Sequence, residues 1–316
     1  MLKSKEQDNP FISIIAPAYN EEGNIMKFYE RTSQVLSSLT NNYEIIFIND
    51  GSSDDTMLIL ARLADEDKKV KVISFSKNFG HQVAVSAGLD HANGDAVVII
   101  DTDLQDPPEV ISDMLISWRK GYEVINARRR TRKDSFLKVL TAKMFYRLLN
   151  VLVSNDIPED VGDFRMLDRK AVNALRLIKE KERYIRGLTN WIGFEQSFVL
   201  YDRDERLSGK THYPVRKMIQ LALTAIFSFS SFPLKLANLL AFIFLVIGAG
   251  VVGYALAVDF MGETIPGWTS QVLINLSFSI TQLFVLGIIS EYIGRIHKQV
   301  QDRPMYIISD IINIEN

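Results

Sequence analysis

Five short apolar runs alternate with segments of helical spacing along the first 126 residues of this chain. The apolar runs cover residues 11–16, 43–48, 70–75, 96–100 and 122–126. Apolar positions recur at helical intervals between them, near 22–39, 54–67, 80–92 and 107–119. Strands that alternate with helices over short connections predict an α/β fold, with a mostly parallel sheet and helices on both faces. The segment 127–215 is mixed and strongly charged, and we assign it to the same domain, 1–215.

The character of the chain changes after residue 235. Residues 236–258 form a stretch of 23 residues without a charge, and residues 267–290 form a second stretch of 24. A helix of the first length spans roughly 34 Å, which is enough to cross a bilayer. The alternative is a pair of buried core helices, but two uncharged stretches of this length so close together favour two transmembrane helices within 236–298.

Charged residues beside these stretches predict their orientation. Lys235 precedes the first stretch, and Arg295 and Lys298 follow the second, whereas the loop 259–266 holds two acids and no Lys or Arg. By the positive-inside rule both flanks are cytoplasmic. The polar residues 1–10 lack the apolar region of a signal peptide. We therefore expect a multi-pass protein of the inner (plasma) membrane whose N-terminal domain, C-terminal tail 299–316 and both termini are cytoplasmic.

The uncharged segment 218–234 has two interpretations. It has 17 residues, several serines and Pro233, so a third membrane span is one alternative. That span would move Lys235 to the outside. We prefer an amphipathic segment, 216–235, that lies in the membrane interface with Arg216 and Lys217 against lipid phosphates.

Composition narrows the chemistry. The formal net charge is −2, so nothing suggests nucleic acid as a partner. The chain has no cysteine, which excludes disulfides and thiolate metal sites. Its four histidines are not spaced as in a zinc motif. Any metal site is therefore expected to use oxygen ligands.

Two carboxylates one residue apart, Asp101 and Asp103, follow the fourth apolar run. Open α/β sheets bind their ligands at this carboxyl edge. Hard oxygen ligands in such a group suit Mg²⁺ or Mn²⁺ with a bound pyrophosphate. The alternative is helix capping, because Asp106-Pro107 has the form of an N-cap followed by a first-turn proline.

Polar residues follow the other four apolar runs as well. They begin at Pro17, Asn49, Ser76 and Arg128, and in a parallel sheet all of them share one edge. Three of them have a simpler explanation: a turn at Asn49-Asp50-Gly51 with a helix N-cap at Ser53-Asp54, a helix cap at Asn20, and a solvated or lipid-facing surface at 128–133. No Gly-x-Gly-x-x-Gly and no Gly-Lys-Ser/Thr loop follows the first apolar run, which argues against a dinucleotide site and a P-loop site there. A nucleotide bound here would need a metal to hold its pyrophosphate.

Three of these motifs, at 17–22, 49–54 and 101–108, resemble those of the inverting glycosyltransferases of family 2, which have a Rossmann-like GT-A fold. Gly162-Asp163-Phe164-Arg165, the segment 206–214, the segment 290–295 and Arg303-Pro304 extend the resemblance over nearly the whole chain. Together they are similar to the polyprenyl-phosphate glycosyltransferases, the group of bactoprenol glucosyltransferase and dolichol-phosphate mannose synthase.

The resemblance implies roles for individual residues. Asp50 would recognise the uracil of a UDP-sugar, with Pro17, Tyr19 and Glu21 around the nucleoside. Asp101 and Asp103 would hold the metal on the diphosphate, with Gln105 close to it. Asp163 would be the candidate base, with Arg165 nearby. The candidates for binding the acceptor phosphate would be Arg128, Arg206 and Lys210.

Two positions depart from the family pattern. Many members have an aspartate where this chain has Asn49, so only Asp50 can take the acidic role. Many members have Ser-Lys-Tyr where this chain has Thr211-His212-Tyr213. The missing lysine leaves Lys210, or His212 when protonated, to replace it beside the phosphate.

The resemblance also implies a reaction. A sugar, with glucose favoured over 4-amino-arabinose, mannose and N-acetylglucosamine, would pass from UDP to undecaprenyl phosphate with inversion, assisted by Mg²⁺ or Mn²⁺. A homo-oligomer in the bilayer is expected. A processive polysaccharide synthase would need more spans than two. A non-catalytic scaffold or flippase partner would be marked by the loss of Asp101 or Asp103, and both are present.

Overall fold

The computed structural model describes residue 5 and residues 9–130, 161–181, 183–203, 232–261 and 267–314. These residues belong to two compact units. The first combines the described residues up to 203 with the C-terminal segment from Pro304, and the second holds those from 232 to Arg303. The region 131–160 and most of the proposed interfacial segment, 216–231, lie outside the described residues.

The first unit is built around one eight-stranded sheet in the order β7-β5-β6-β4-β1-β2-β3-β8. Its strands are β1 (Ile12–Ala18), β2 (Tyr43–Asn49), β3 (Val70–Phe75), β4 (Ala96–Ile99), β5 (Val124–Arg129), β6 (Val161–Asp168), β7 (Gln196–Tyr201) and β8 (Ile308–Ile312). The five strands expected from the apolar runs are confirmed. They are nearly continuous runs of buried residues, as expected of strands covered on both faces.

Helices follow the first four strands. They are α1 (Ile25–Leu39), α2 (Thr56–Glu66), α3 (His81–His91) and α4 (Val110–Arg119), and two more, α5 (Arg169–Leu177) and α6 (Ile185–Trp191), follow β6. β1 pairs in parallel with β2 and β4, as the strand–helix alternation predicts. The carboxyl ends of β1, β2 and β4 therefore lie at the same edge.

The strand β6 runs against this direction. It pairs antiparallel with both β4 and β5, in registers that match Ile99 and Asn126 with Arg165. Because β6 is reversed, its first residues lie at the edge where β4 and β5 end. Gly162 and Asp163 thus reach the carboxyl edge from the beginning of a strand.

The C-terminal segment contributes a strand of the catalytic sheet. The sequence pattern suggests only a tail over 299–316, whereas β8 pairs antiparallel with β3 through partners such as Val72 and Ile312. Asn313 donates hydrogen bonds to the carbonyls of Ala64 at 2.6 Å and Val70 at 2.9 Å. The edge of β3 is therefore covered by the last part of the chain.

The second unit contains two long helices, α7 (Phe232–Phe260) and α8 (Trp268–Val300). Each holds a stretch long and apolar enough to cross a membrane, at Pro233–Val251 and Ile274–Val300. The rings of Phe244 and Phe278 contact each other between the helices, with centroids 5.4 Å apart. Two apolar helices are thus present where the sequence predicts them, and α8 continues ten residues past the expected span, which ends at 290.

Candidate active site at the carboxyl edge of the sheet

The loops after β1, β2 and β4 are joined by hydrogen bonds at the carboxyl edge. The Asp50 amide donates to the Ala18 carbonyl at 2.9 Å, and the Thr102 hydroxyl donates to the Pro17 carbonyl at 3.1 Å. Pro17 is itself buried in β1. These bonds bring the sequence motifs at 17–22, 49–54 and 101–108 together at one edge of the sheet.

The loop after β1 is held to the loop after β2. Asn20 adopts a positive φ of 55°, and its side-chain oxygen accepts a hydrogen bond from the Ser53 amide at 2.8 Å. The Glu21 amide donates to the Thr56 hydroxyl at 2.9 Å, and Tyr19 remains half-exposed. Asn20 is therefore not the cap of α1, whose N-cap is Asn24, and its side chain instead ties the two loops together.

Asp50 is buried and organises a third loop. Its carboxylate accepts hydrogen bonds from the Phe79 amide at 2.7 Å and the Gly80 amide at 2.9 Å. Burial raises the pKa of Asp50, and the two amides oppose this rise. Gly51 next to it has a φ of +65°, and a Cβ there would lie 2.4 Å from the Lys77 carbonyl carbon. The loop after β2 thus packs directly on the loop after β3.

Asp101 and Asp103 lie on a tight turn after β4. The Gln105 amide donates to the Asp103 carboxylate at 3.1 Å, and Leu104 between them has a φ of +57°. In the part of the chain that the structure describes, no three His, Asp or Glu side chains form a metal-binding group by themselves. A divalent cation at the two carboxylates would also need oxygens from a bound diphosphate and water. That donor set is usual for Mg²⁺.

His81 joins Asp101 to the beginning of β6. Its Nε2 lies 3.7 Å from Oδ1 of Asp101 and 3.4 Å from Oδ2 of Asp163. Burial lowers the pKa of His81, but the two carboxylates outweigh it and raise the pKa to about 9. Burial raises the pKa of Asp101 to about 6, with His81 opposing the rise. The imidazole therefore reduces the repulsion between two carboxylates at the centre of the site.

Asp163 is held by a two-point contact with Arg186. Nε and Nη2 of Arg186 donate to the two oxygens of Asp163 at 2.8 and 2.9 Å. Burial alone would raise the pKa of Asp163, but Arg186 and His81 hold it well below its usual range. Asp163 is therefore an ionised, oriented carboxylate at neutral pH.

Arg165 has a supporting position. It is buried, and it donates to the Gly162 carbonyl at 2.8 Å and the Thr189 hydroxyl at 2.5 Å. Burial lowers its pKa to about 10, which leaves it protonated at neutral pH. The resemblance places Arg165 near the chemistry, and the structure shows that its guanidinium braces the backbone that carries Asp163.

The end of β5 carries two arginines in different surroundings. Arg128 is exposed and lies over the Phe198 ring at 5.9 Å from its centroid. Arg129 lies 3.4 Å from the Tyr201 hydroxyl, which in turn donates to the buried Asp106 at 2.5 Å. Asp106 therefore anchors the metal-candidate loop to β7 and is not a helix cap. Arg206 and Lys210, the other two candidates for the acceptor phosphate, lie outside the described residues.

The sequence analysis did not predict two residues of the site, Arg186 and His81. Arg186 belongs to no recognisable motif. His81 directly follows the Ser76–Gly80 motif after β3, so its position after a strand end was an available signal.

Comparisons with known proteins identify a family and several relatives of this chain. Residues 13–176 match the model of glycosyl transferase family 2. An uncharacterized glycosyltransferase of Bacillus subtilis is 47% identical over 96% of this chain and 95% of its own. The prophage-derived bactoprenol glucosyl transferase of Shigella flexneri is 39% identical over 94% and 97%. A prophage bactoprenol glucosyl transferase homolog of Escherichia coli is 38% identical over 95% and 99%.

Proposed function

Because this chain belongs to glycosyl transferase family 2, we propose that it transfers glucose from UDP-glucose to a polyprenyl phosphate at the membrane, with inversion. One observation carries the proposal. Relatives named as bactoprenol glucosyl transferases match 94% and 95% of this chain at 39% and 38% identity, so the match includes both the sheet and the apolar helices. UDP as the sugar carrier rests on the resemblance of the strand-end motifs.

The donor binds, in this proposal, on the side of the sheet edge formed by β1, β2 and β4. Asp50 recognises the uracil, while Pro17, Tyr19 and Glu21 surround the nucleoside. The fixed loop structure around Asp50 supports this role, because a rigid carboxylate loses little entropy when it binds a base. Asp101, Asp103 and Gln105 would hold Mg²⁺ or Mn²⁺ on the diphosphate. When bound, this cation would supply Lewis-acid stabilisation of the departing diphosphate.

The acceptor has a different requirement. A phosphate monoester has a second pKa of about 6, so it is largely ionised at neutral pH and needs little deprotonation before it attacks the anomeric carbon. The contact of Asp163 with Arg186 supports a role in orientation, since a carboxylate held this firmly in its ionised form is a weak base. Asp163 and His81 then set the geometry between the two substrates.

Cations must offset the repulsion between the two phosphate-bearing substrates. Arg128, Arg206 and Lys210 are the proposed acceptor-phosphate residues. The exposed position of Arg128 beside the Phe198 ring supports its part in this role, because its guanidinium is accessible to a headgroup.

The helices α7 and α8 hold the catalytic unit at the membrane in this proposal. Both termini and the catalytic unit face the cytoplasm, and the segment 216–235 lies in the interface. A polyprenyl chain stays in the bilayer, so an enzyme anchored there needs to bind only the headgroup. The positive charges beside the two apolar stretches support this orientation.

The decisive experiment offers purified full-length protein a panel of labelled UDP-sugars with undecaprenyl phosphate, with and without EDTA. We expect glucose to pass to the lipid only when Mg²⁺ or Mn²⁺ is present. Asp103→Asn should lose transfer, whereas Asp113→Asn, an equal change of charge on the exposed face of α4, should keep it. Transfer of another sugar alone, or transfer that survives EDTA, would contradict the proposal.

A further inference from the structure

We infer that Tyr306, in the segment that leads into β8, is a positioning residue for the donor site, an inference that rests on the proposed role of Asp50. Tyr306 does not touch Asp50. The ring of Tyr306 stacks on that of Phe75, with centroids 5.1 Å apart and an angle of 20° between the planes. Tyr306 thereby packs on the last residue of β3. The loop that follows β3 contains the amides that bind Asp50.

The contact continues from Phe75 to that loop. The rings of Phe75 and Phe79 meet edge to face, with centroids 5.7 Å apart. The Phe79 amide is the group that donates to Asp50 at 2.7 Å. An aromatic series of Tyr306, Phe75 and Phe79 thus ends at a hydrogen bond to the candidate uracil-binding carboxylate.

Tyr306 also contacts the last turn of α3, the helix that follows this loop. Its hydroxyl donates to the Asp90 carboxylate at 3.2 Å, and Asp90 lies in the last turn of α3. The neighbouring Ile307 carbonyl accepts a hydrogen bond from the Ser76 amide at 3.0 Å. One tyrosine therefore contacts β3 and α3 at once. The loop between them carries Phe79 and Gly80, and α3 begins with His81.

The consequence falls mainly on the donor. If Tyr306 is removed, Phe75 loses a packing partner, and Phe79, which packs on Phe75, is held less firmly. The amides that orient Asp50 then become freer to move.

The strands that carry Asp163 and Arg128 lie on the other side of β4 from β3. The helix that carries Arg186 is linked to α3, because the Ile185 amide donates to the Gln82 side chain at 3.0 Å, and Arg183 interacts electrostatically with Tyr306. Donor binding is therefore expected to weaken more than acceptor binding.

The kinetic test compares Tyr306→Ala and Tyr306→Phe in the full-length protein. Ile307→Ala is the matched control, because its side chain is 54% exposed and its carbonyl is retained. With UDP-glucose and undecaprenyl phosphate, Tyr306→Ala should raise the donor KM roughly 3- to 10-fold, the scale of one lost aromatic pair. The acceptor KM should stay within about twofold of wild type. Tyr306→Phe keeps the stack and should restore the donor KM.

Two outcomes would overturn the inference. One is a Tyr306→Ala donor KM equal to that of Ile307→Ala. The other is a parallel rise of donor and acceptor KM, which a general loss of structure would produce. Should Tyr306→Ala fail to fold, Tyr306→Leu keeps the apolar volume without the ring, and the same expectations apply to it.

Amide hydrogen exchange without substrate provides a readout that needs no activity. Peptides that contain Phe79 and Gly80 should exchange faster in Tyr306→Ala than in wild type, and no faster in Ile307→Ala. Unchanged exchange at these amides would contradict the role of Tyr306. Faster exchange in a protein that transfers no glucose would contradict only the proposed function, so the two failures are distinguishable.

Discussion

Arg186 binds Asp163 through two parallel hydrogen bonds, one to each carboxylate oxygen, at 2.8 and 2.9 Å. Because both oxygens of Asp163 accept hydrogen bonds from a cation, protonation of this carboxylate is unfavourable. Together with His81, it keeps the pKa of Asp163 below its usual range, so the group loses its charge only in acid. Between pH 6.5 and 8.5 its charge is therefore constant.

For this reason we expect Asp163→Asn to retain transfer, with a loss of about 10-fold that reflects a weakened contact with Arg186. The loss should be about this size at pH 6.5, as measured with the labelled donor. Any larger loss toward pH 8.5 should follow the deprotonation of His81, because Asp163 is one of the two carboxylates that raise the pKa of His81. A general base would behave differently, because its removal costs roughly 10²- to 10⁴-fold and the loss would persist at pH 8.5. Arg186→Lys, which keeps the charge but loses the two-point contact, should resemble Asp163→Asn.

His81 should be essential in a way that its helix neighbour His91 is not. His81→Gln removes the group between Asp101 and Asp163, and the loss of one charge-assisted contact predicts a fall in kcat of about 10- to 100-fold. His91 lies at the other end of α3, where its ring contacts only the Ala87 carbonyl among the bonds described, at 2.9 Å. His91→Gln is therefore the control. Equal activities of the two variants would contradict a role of His81 in the active site.

Gly51 and Gly23 provide a matched pair for the donor loops. Gly51→Ala places a Cβ against the Lys77 backbone at a positive φ, which should destabilise the protein by about 2 to 4 kcal/mol. Nothing lies within 4 Å of a Cβ at Gly23, so Gly23→Ala should be nearly neutral. Thermal unfolding of both variants in detergent, with the donor KM measured beside it, checks the contrast. A tolerated Gly51→Ala would mean that the two loops do not pack closely.

A second pair of glycines tests the contact between α7 and α8. A Cβ at Gly248 would lie 3.4 Å from the Phe278 ring, whereas nothing lies within 4 Å at Gly250. Gly248→Ile should overpack this contact and cost about 1 to 3 kcal/mol, while Gly250→Ile should cost less. Unfolding of the full-length protein by SDS in mixed micelles measures the difference. Equal effects would contradict a close contact between the helices at Gly248.

The apolar strands were predictable from the sequence because their residues are buried on both faces of the sheet. The three strands without a prediction lack that signal. β6 contains Gly162, Asp163 and Arg165, and Arg165 is buried only because hydrogen bonds satisfy its guanidinium. β8 is an edge strand with mostly exposed residues, so its pattern resembles that of a loop.

The site was predictable as a set of strand ends and less so as a set of contacts. The motifs indicated that Asp50, Asp101 and Asp103 share an edge, and the resemblance added Asp163. The family assignment is confirmed, while the roles of individual residues, the membrane topology and the homo-oligomer stay predictions. The pattern held no information on Arg186, since a helix of seven residues after an antiparallel strand brings it to Asp163.

The pairing of β8 with β3 also has a consequence for biosynthesis. Ser309 donates to the Ser74 carbonyl across 235 positions of sequence, and both long apolar helices, α7 and α8, are encoded between these two strands. At ~5–20 residues per second, a ribosome needs roughly 10 to 50 seconds to travel that distance. The nascent sheet therefore waits with an open edge at β3 until both apolar helices have been synthesised. Because the strand that covers this edge follows the helices in the chain, the sheet is completed only after both helices have been translated.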